Sequence, residues 1–201
     1  MISVYQLKSG FQRLLRPVLA GMRKMGISPN QITIAAILLS FILGILLWNV
    51  KDLNIALLLV PIGLLLRMAL NALDGMMATT YHLQSKKGEV LNEMGDIISD
   101  LFIYIPIIQF QDVSPVLLTV FIALAVTNEF AGILAKVISG SRRYDGPMGK
   151  SDRAFVVGLT LLLAWFFPQA ISYFNYLLGG CVLLMLVSTF VRINKGLQGA
   201  N

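Results

Sequence analysis

The sequence predicts an all-α polytopic membrane protein with six transmembrane helices and an N-terminal amphipathic surface helix. Of its 201 residues, 57% are hydrophobic and only 13% are charged, whereas about a quarter of the residues in a soluble domain are charged. The mean hydropathy is +0.78. Six apolar stretches follow one another, and each must be helical because a lone strand cannot satisfy its backbone groups in hydrocarbon.

The first segment, residues 1–27, differs from the rest because its apolar residues alternate with basic ones. Intervals of three and four residues separate the main apolar positions, which are Val4, Leu7, Phe11, Leu14, Leu15 and Val18. This pattern is typical of a helix that lies on a membrane surface and anchors the protein there. We expect residues 31–193 to form the six-helix bundle and residues 1–201 to form a single membrane domain.

Two of the six apolar stretches are too short to span a membrane alone. A spanning helix needs about 20 residues, and the third and fifth stretches reach that length only if the polar residues before them are helical. Those polar residues are Gly88–Asp96 and Lys150–Arg153. The six stretches are Ile32–Val50, Leu53–Leu73, Ile97–Phe110, Val116–Ile138, Ala154–Phe167 and Ile171–Val191.

The basic residues are distributed so unevenly that they orient the helices. Of the 16 Lys and Arg residues, Lys51 alone falls on one face and Arg67 alone falls inside a span. All the others fall on the opposite face, which places both termini and the polar helix ends in the cytoplasm. The same asymmetry explains the net charge of +6, so we expect no nucleic-acid partner.

Ionisable residues inside spanning segments are costly and usually line a site, and here they form two stripes on consecutive helices. At about 100° per residue, one arc of the second helix contains Arg67, Asn71, Asp74, Gly75 and Ala78. A similar arc of the third helix contains Glu89, Asn92, Glu93, Asp96 and Asp100. A short connection makes the two helices antiparallel neighbours, so we predict that the stripes face each other.

The chemistry of these stripes favours a hard divalent cation. The ligands are oxygen atoms, with no His or Cys among them, which suits Mg²⁺ or Mn²⁺. Gly75, Ala78 and Gly88 leave room for a bulky group, and a divalent ion at a membrane surface most often handles phosphate. The alternative is that these groups only join helices, but several acids on one face repel each other unless a cation lies between them.

The spacing of these residues resembles the signature of the CDP-alcohol phosphotransferase family, Asp-x2-Asp-Gly-x2-Ala-Arg-x8-Gly-x3-Asp-x3-Asp. The corresponding segment of this chain is Asn71-x2-Asp74-Gly75-x2-Ala78-Thr79-x8-Gly88-x3-Asn92-x3-Asp96. The segment Ser28-Pro29-Asn30-x-Ile32-Thr33 is similar to the family's Pro-Asn-x-x-Thr segment before the first span. The likeness is greatest to small bacterial members that carry Asn at the same two positions, which implies the bacterial inner membrane.

The resemblance implies a homodimeric enzyme of phospholipid biosynthesis that uses a CDP-alcohol, in most members CDP-diacylglycerol. An acceptor hydroxyl attacks the phosphorus next to the lipid, CMP leaves, and divalent metals clamp the pyrophosphate. Asp96 corresponds to the family's general base. The metal ligands of the family correspond to Asn71, Asp74, Asn92 and Asp96. Its CDP-binding positions correspond to Asn30, Thr33, Asp74, Gly75, Ala78 and Gly88.

Three positions depart from the signature, since Asn71 and Asn92 replace aspartates and Thr79 replaces an arginine. Asparagine offers a metal an oxygen but no charge, so metal affinity falls, and the site holds one ion or two. Glu89 or Asp100 can restore a carboxylate, either in place or by a one-turn shift in register. The alternative function is a catalytically impaired member that binds nucleotide or lipid without turnover.

Basic residues near the polar helix ends are candidates for binding the acceptor. The segment Gly146–Arg153 resembles the family's Gly-Lys segment, whose basic groups line a pocket beside the metal site. Such a pocket suits a phosphorylated alcohol, but the sequence leaves the acceptor open between glycerol phosphate, inositol phosphate, serine and an unusual alcohol. The candidate ligands of its phosphate are Lys150, Arg153, Arg142 and Arg143. The alternative is that these are ordinary cytoplasmic charges. For Arg67 we favour an ion pair with Glu129 over binding of a substrate phosphate.

Overall fold

The computed structural model describes residues 4–51 and 54–199, and every regular element within them is helical. The all-α class is therefore confirmed. The α-helices are α1 (Val4–Lys24), α2 (Pro29–Trp48), α3 (Ala56–Thr80), α4 (Lys86–Tyr104), α5 (Pro115–Ser139), α6 (Lys150–Phe166) and α7 (Phe174–Gln198). Leu53, at the start of the predicted second stretch, lies outside the described residues, as do the side chains of Val4 and Leu7.

The helices begin where the sequence supplies capping groups. Ser28 starts α2, because its hydroxyl accepts from the Gln31 N–H at 3.3 Å while the Gln31 side chain accepts from the Ser28 N–H at 2.8 Å. Ser85 starts α4 by accepting from the N–H three residues later at 3.0 Å. Asp152 accepts from the N–H that precedes α6 at 2.9 Å. As predicted, α4 and α6 thus include the polar residues before their apolar stretches.

The third apolar stretch is not one continuous α-helix. After α4 the chain tightens into a 3-10 helix, Ile105–Gln109, because Pro106 lacks the N–H that an α-helical bond requires. A second 3-10 helix, Pro168–Tyr173, leads into α7. The predicted third and sixth stretches therefore each combine an α-helix with a tighter turn.

Within the part of the chain that the structure describes, four helical segments are long and apolar enough to cross a membrane, namely α2, α3, α5 and Pro168–Gln198, which contains α7. Large apolar side chains such as Phe41, Leu66 and Phe190 are exposed, which suits contact with lipid. Two further helices, α4 and α6, have 19 and 17 residues and carry charges in their first turns. The architecture fits a membrane protein.

α2 positions the two helices that carry the polar stripes, because it packs against both α3 and α4. Within the described helices, α3 and α4 do not pack closely on each other, so space separates them. α3 also packs against α6, and α5 packs against α7. Leu15 and Leu19 of α1 pack with Leu73 and Met77 of α3, which places α1 beside the end of the bundle where α3 ends and α4 begins. We call this the motif end.

Candidate active site

Polar side chains of α3 and α4 meet at the motif end, as the antiparallel arrangement predicts. The Asn71 amide donates to Asp96 Oδ1 at 3.2 Å, and the Asn92 amide donates to Asp74 Oδ2 at 3.0 Å. Each asparagine therefore contacts an aspartate of the opposite helix. We call these four residues the carboxylate–amide cluster. They bridge the space between two helices whose backbones are held apart.

α2 supplies a third side to this cluster. The Thr33 hydroxyl donates to Asp74 Oδ2 at 2.9 Å in a buried contact. Asn30 lies next to Gly88, since a Cβ atom on that glycine would be 2.8 Å from Asn30 Oδ1. A side chain at this position would displace the Asn30 amide, so the glycine lets Asn30 of α2 lie close to α4. The predicted positions Asn30, Thr33 and Gly88 thus lie together beside Asp74.

Gly75 and Ala78 lie on α3 beside the cluster, where the structure leaves open space. A Cβ atom on Gly75 would meet no other heavy atom within 4 Å, so packing within the chain does not require a glycine there. The Thr79 hydroxyl donates to the Gly75 carbonyl at 2.8 Å, within its own helix. This hydroxyl is therefore engaged within its own helix.

Lys150, the first residue of α6, brings a positive charge to the cluster. Its ammonium group contacts Asp96 Oδ2, and 27% of its side chain is exposed. The backbone before it is held firmly: Met148 is buried with a left-handed φ of 60°, which is uncommon for a residue other than glycine. The Arg153 guanidinium donates to the Met148 carbonyl at 3.4 Å, so α6 itself fixes the segment that presents Lys150.

A buried network of ion pairs lies behind the cluster, and it corrects one prediction. Arg67 pairs with Asp100 at 2.6 Å, and the predicted pair between Arg67 and Glu129 is wrong. Arg153 bridges Asp100 at 2.9 Å and Glu129 at 3.0 Å. Asp100 is therefore enclosed by two guanidinium groups and lies outside the carboxylate–amide cluster. It does not supply the extra carboxylate that the sequence pattern allowed it to add to the metal site.

Arg142, in the loop between α5 and α6, extends the same network towards α4. It contacts Glu93 at 2.7 Å and Glu129 at 2.8 Å. Burial alone lowers the pKa of Arg142, but Tyr144, whose ring centre lies 4.4 Å from the guanidinium carbon, and the two carboxylates outweigh burial and raise this pKa above its ordinary value. Arg142 therefore stays charged at the edge of the site.

The residues predicted to bind the acceptor differ in how exposed their side chains are and in whether they already have partners. The side chains of Arg153 and Arg67 are 0% and 2% exposed and already have carboxylate partners, so neither faces an open pocket in this structure. Lys150 is partly exposed. Arg143 is half-buried, and its guanidinium lies beside Gly199, past the end of α7. Glu89 pairs with Lys136 on the exposed surface and not with the cluster.

Two residues of this region were not predicted to belong to the site. Glu93 lies in the predicted stripe, but its pairing with Arg142 was not anticipated. Arg192 was counted only as a cytoplasmic charge, yet it is 2% exposed and donates to the Asn128 carbonyl at 2.7 Å. The feature of the sequence that could have identified Arg192 is its position one residue after the last apolar stretch.

The cluster fits a hard divalent cation only if its amides take part. The described residues contain no group of three or more His, Cys, Asp or Glu side chains arranged to hold a metal ion. The cluster has two carboxylates and two amides, and a half-turn of an amide group presents its oxygen in place of its NH2. Four oxygen donors from two helices then suit Mg²⁺ or Mn²⁺.

Comparison with known proteins identifies the family of the chain. Residues 26–191 match the family model described as CDP-alcohol phosphatidyltransferase. The chain is 41% identical over 191 residues to the inner membrane protein YnbA of Escherichia coli (strain K12), covering 95% of this chain and 94% of that protein.

Two solved structures share the fold. The first is phosphatidylinositol phosphate synthase of Mycobacterium tuberculosis with CDP-DAG bound, with a TM-score of 0.74 and 20% identity over 92% of this chain and 94% of that one. The second is the same synthase with manganese and citrate, with a TM-score of 0.72 and 19% identity over 90% and 87%. At these identities, the likeness establishes the fold.

Proposed function

Because the chain belongs to the CDP-alcohol phosphatidyltransferase family, we propose that it transfers a phosphatidyl or similar phosphoalcohol group from a CDP-alcohol to an acceptor hydroxyl. As a family member it is an enzyme of phospholipid synthesis that transfers substituted phosphate groups. The proposed donor is CDP-diacylglycerol, and the products are a phosphodiester lipid and CMP. The observation that supports this most directly is the carboxylate–amide cluster, in which Asn71, Asp74, Asn92 and Asp96 meet across α3 and α4.

The protein is an integral membrane protein, and we propose six spans with α1 on the membrane surface. The motif end faces the cytoplasm because nearly all Lys and Arg residues lie at that end. Both termini are then cytoplasmic, and a bacterial inner membrane is the proposed location. A homodimer is proposed from the family resemblance.

We propose Mg²⁺ or Mn²⁺ as the cofactor, held by the two carboxylates and two amide oxygens of the cluster. When bound, a divalent ion stabilises the negative charge that develops on the phosphate oxygens. Asp74 is oriented for this by Thr33, whose hydroxyl donates to one carboxylate oxygen. The Asn92 amide donates to the same oxygen, and a half-turn of that amide presents its own oxygen to the ion. Asn30, Gly75, Ala78 and Gly88 line the side where the CDP group binds.

Among the acceptors we favour a phosphorylated alcohol, since the partly exposed ammonium group of Lys150 lies next to the cluster. Lys150 is proposed to contact its phosphate, with Arg142 and Arg143 as supporting residues. Arg153 and Arg67 support this pocket from behind, because their guanidinium groups are buried in ion pairs. They hold α3, α4 and α6 together around the site.

Asp96 is proposed to accept the proton of the acceptor hydroxyl. The oxygen of that hydroxyl forms a bond to the phosphorus next to the lipid, the bond from that phosphorus to the CMP oxygen breaks, and CMP leaves with the electron pair. Asp96 is buried between Asn71 and Lys150, and these contacts hold its carboxylate at the face of α4 that is turned towards α3.

The test is release of CMP from CDP-diacylglycerol by the purified protein in detergent with Mn²⁺, across glycerol phosphate, inositol phosphate, serine and further alcohols. Asp96→Asn removes the proton acceptor, so we expect turnover to fall at least about a hundredfold with no loss of fold. Glu89→Gln is the matched control, because that exposed carboxylate pairs with Lys136 and lies outside the cluster. Unchanged CMP release in Asp96→Asn refutes the role.

The same experiment tests the alternative, a member that binds without turnover. Stabilisation of the protein by Mn²⁺ and CDP-diacylglycerol, with no CMP released for any acceptor, would favour that alternative. If CMP is released, mass spectrometry of lipids from cells that overproduce the protein identifies the product. Cells that produce Asp74→Ala serve as the reference.

A further inference from the structure

The two aspartates of the carboxylate–amide cluster are engaged differently. Both oxygens of Asp96 have partners, because Oδ1 accepts from the Asn71 amide and Oδ2 contacts the Lys150 ammonium. Asp74 receives its two side-chain bonds on the same oxygen, Oδ2, from Thr33 and Asn92. Within the described part of the chain, no side chain donates to its other oxygen. Asp96 therefore already holds a cationic group, whereas Asp74 has an oxygen that can face a metal ion.

The charges of the cluster limit how many divalent ions it can hold before substrate arrives. Asp74 and Asp96 contribute two negative charges, and Lys150 contributes one positive charge. Glu93 adds no net charge, since its carboxylate is paired with Arg142 at 2.7 Å. One divalent ion changes the net charge of the cluster from negative to positive. A second ion then approaches a positive group in a partly buried site, where repulsion is poorly screened.

We infer that the Lys150 ammonium takes the place of a second cation at Asp96, so that the substrate-free chain binds one divalent ion. The inference rests on the proposed function, because it concerns the same cluster. The fold holds Lys150 in position: α6 begins at that residue, Asp152 accepts from the preceding N–H at 2.9 Å, and Met148 is buried in a left-handed conformation. Asn71 and Asn92 then act as neutral ligands that suit a single ion.

The experiment is a titration of the purified protein in detergent with Mn²⁺ alone, in which electron paramagnetic resonance counts the free ion. We expect one Mn²⁺ per wild-type chain. Lys150→Met frees Asp96 and removes a positive charge, so Mn²⁺ should bind at least tenfold more tightly. Lys136→Met is the matched control, because it removes the same charge at the motif end from a pair with Glu89, and it should bind Mn²⁺ like the wild type. Lys150→Arg keeps the positive charge, so it should also bind Mn²⁺ with the affinity of the wild type.

The triple variant Asn71→Asp, Asn92→Asp, Lys150→Met should bind two Mn²⁺ per chain, with the line broadening of paired ions. Two ions on the wild-type chain, or equal Mn²⁺ affinity of Lys150→Met and Lys136→Met, would overturn the inference. Absence of Mn²⁺ binding by the wild type would overturn it as well. Lack of CMP release would contradict the proposed function, whatever the number of bound ions. If the chain binds two ions and releases CMP, the proposed function stands and only the inference about Lys150 is wrong.

Discussion

Replacing Asp100 by asparagine should destabilise the protein strongly, because Asp100 is the carboxylate partner of a buried arginine. Arg67 is 2% exposed and pairs with Asp100 at 2.6 Å. Among the described residues, Asp100 is the sole carboxylate within ion-pair distance of Arg67. Arg153 also pairs with Asp100, at 2.9 Å, but it retains Glu129 at 3.0 Å. Asp100→Asn therefore leaves one buried guanidinium without a counter-charge.

Breaking a buried ion pair by removing one partner costs about 3–5 kcal/mol, and we expect a loss of that size for Asp100→Asn. The double variant Arg67→Met, Asp100→Asn removes both charges, so it should recover at least about 2 kcal/mol of the sum of the two single losses. Reversible unfolding in mixed micelles with increasing dodecyl sulfate, followed by circular dichroism, measures these free energies.

Asp112→Asn serves as the control, because this exposed carboxylate contacts Ser172 far from the network, and it should change stability little. A loss below about 1 kcal/mol for Asp100→Asn, which is typical of an exposed pair, would refute the reasoning. Strict additivity of the Arg67→Met and Asp100→Asn losses would refute it equally.

Two further predictions concern the donor side of the site. Thr33→Val removes a hydrogen bond of 2.9 Å to Asp74 Oδ2, so Mn²⁺ affinity in the same titration should fall roughly tenfold, while Thr33→Ser should retain it; equal affinities in both variants would contradict this. In Gly75→Ala the new methyl group meets no atom beyond its own stretch of helix within 4 Å. Because alanine favours a helix over glycine by about 1 kcal/mol, stability should be kept or improved. The same methyl group obstructs the donor, so the KM for CDP-diacylglycerol should rise at least tenfold. Gly179→Ala, equally free of contacts on α7, should leave the KM unchanged, and an unchanged KM in Gly75→Ala would show that the donor does not approach this glycine.

The parts of the fold that follow from local sequence were predicted well. The capping residues Ser85 and Asp152 begin α4 and α6 at the polar segments that hydropathy alone would leave outside. The spacing of three and four residues placed Asn71, Asp74, Asn92 and Asp96 on facing stripes, and the structure brings these four together. Periodicity and a short connection were sufficient here because both helices are close in sequence.

The parts that depend on distant packing were not predicted. Arg67 lies on the stripe that faces α4, and its partner is Asp100 on that helix, while Glu129 on α5 is satisfied by Arg142 and Arg153. A helical wheel gives the direction of a side chain but not which distant helix lies there. The role of α2 as the spacer between α3 and α4 likewise depends on packing that no local pattern records.

The central claim is that side chains of α3 and α4 hold a divalent ion between them. Anomalous X-ray scattering from Mn²⁺, in crystals of the protein grown with CDP-diacylglycerol, tests this most directly. We predict an anomalous peak about 2.1 Å from an oxygen of Asp74 on α3 and from an oxygen of Asn92 or Asp96 on α4. A fully occupied Mn²⁺ position that is out of reach of Asp74, or out of reach of both α4 side chains, would contradict the claim.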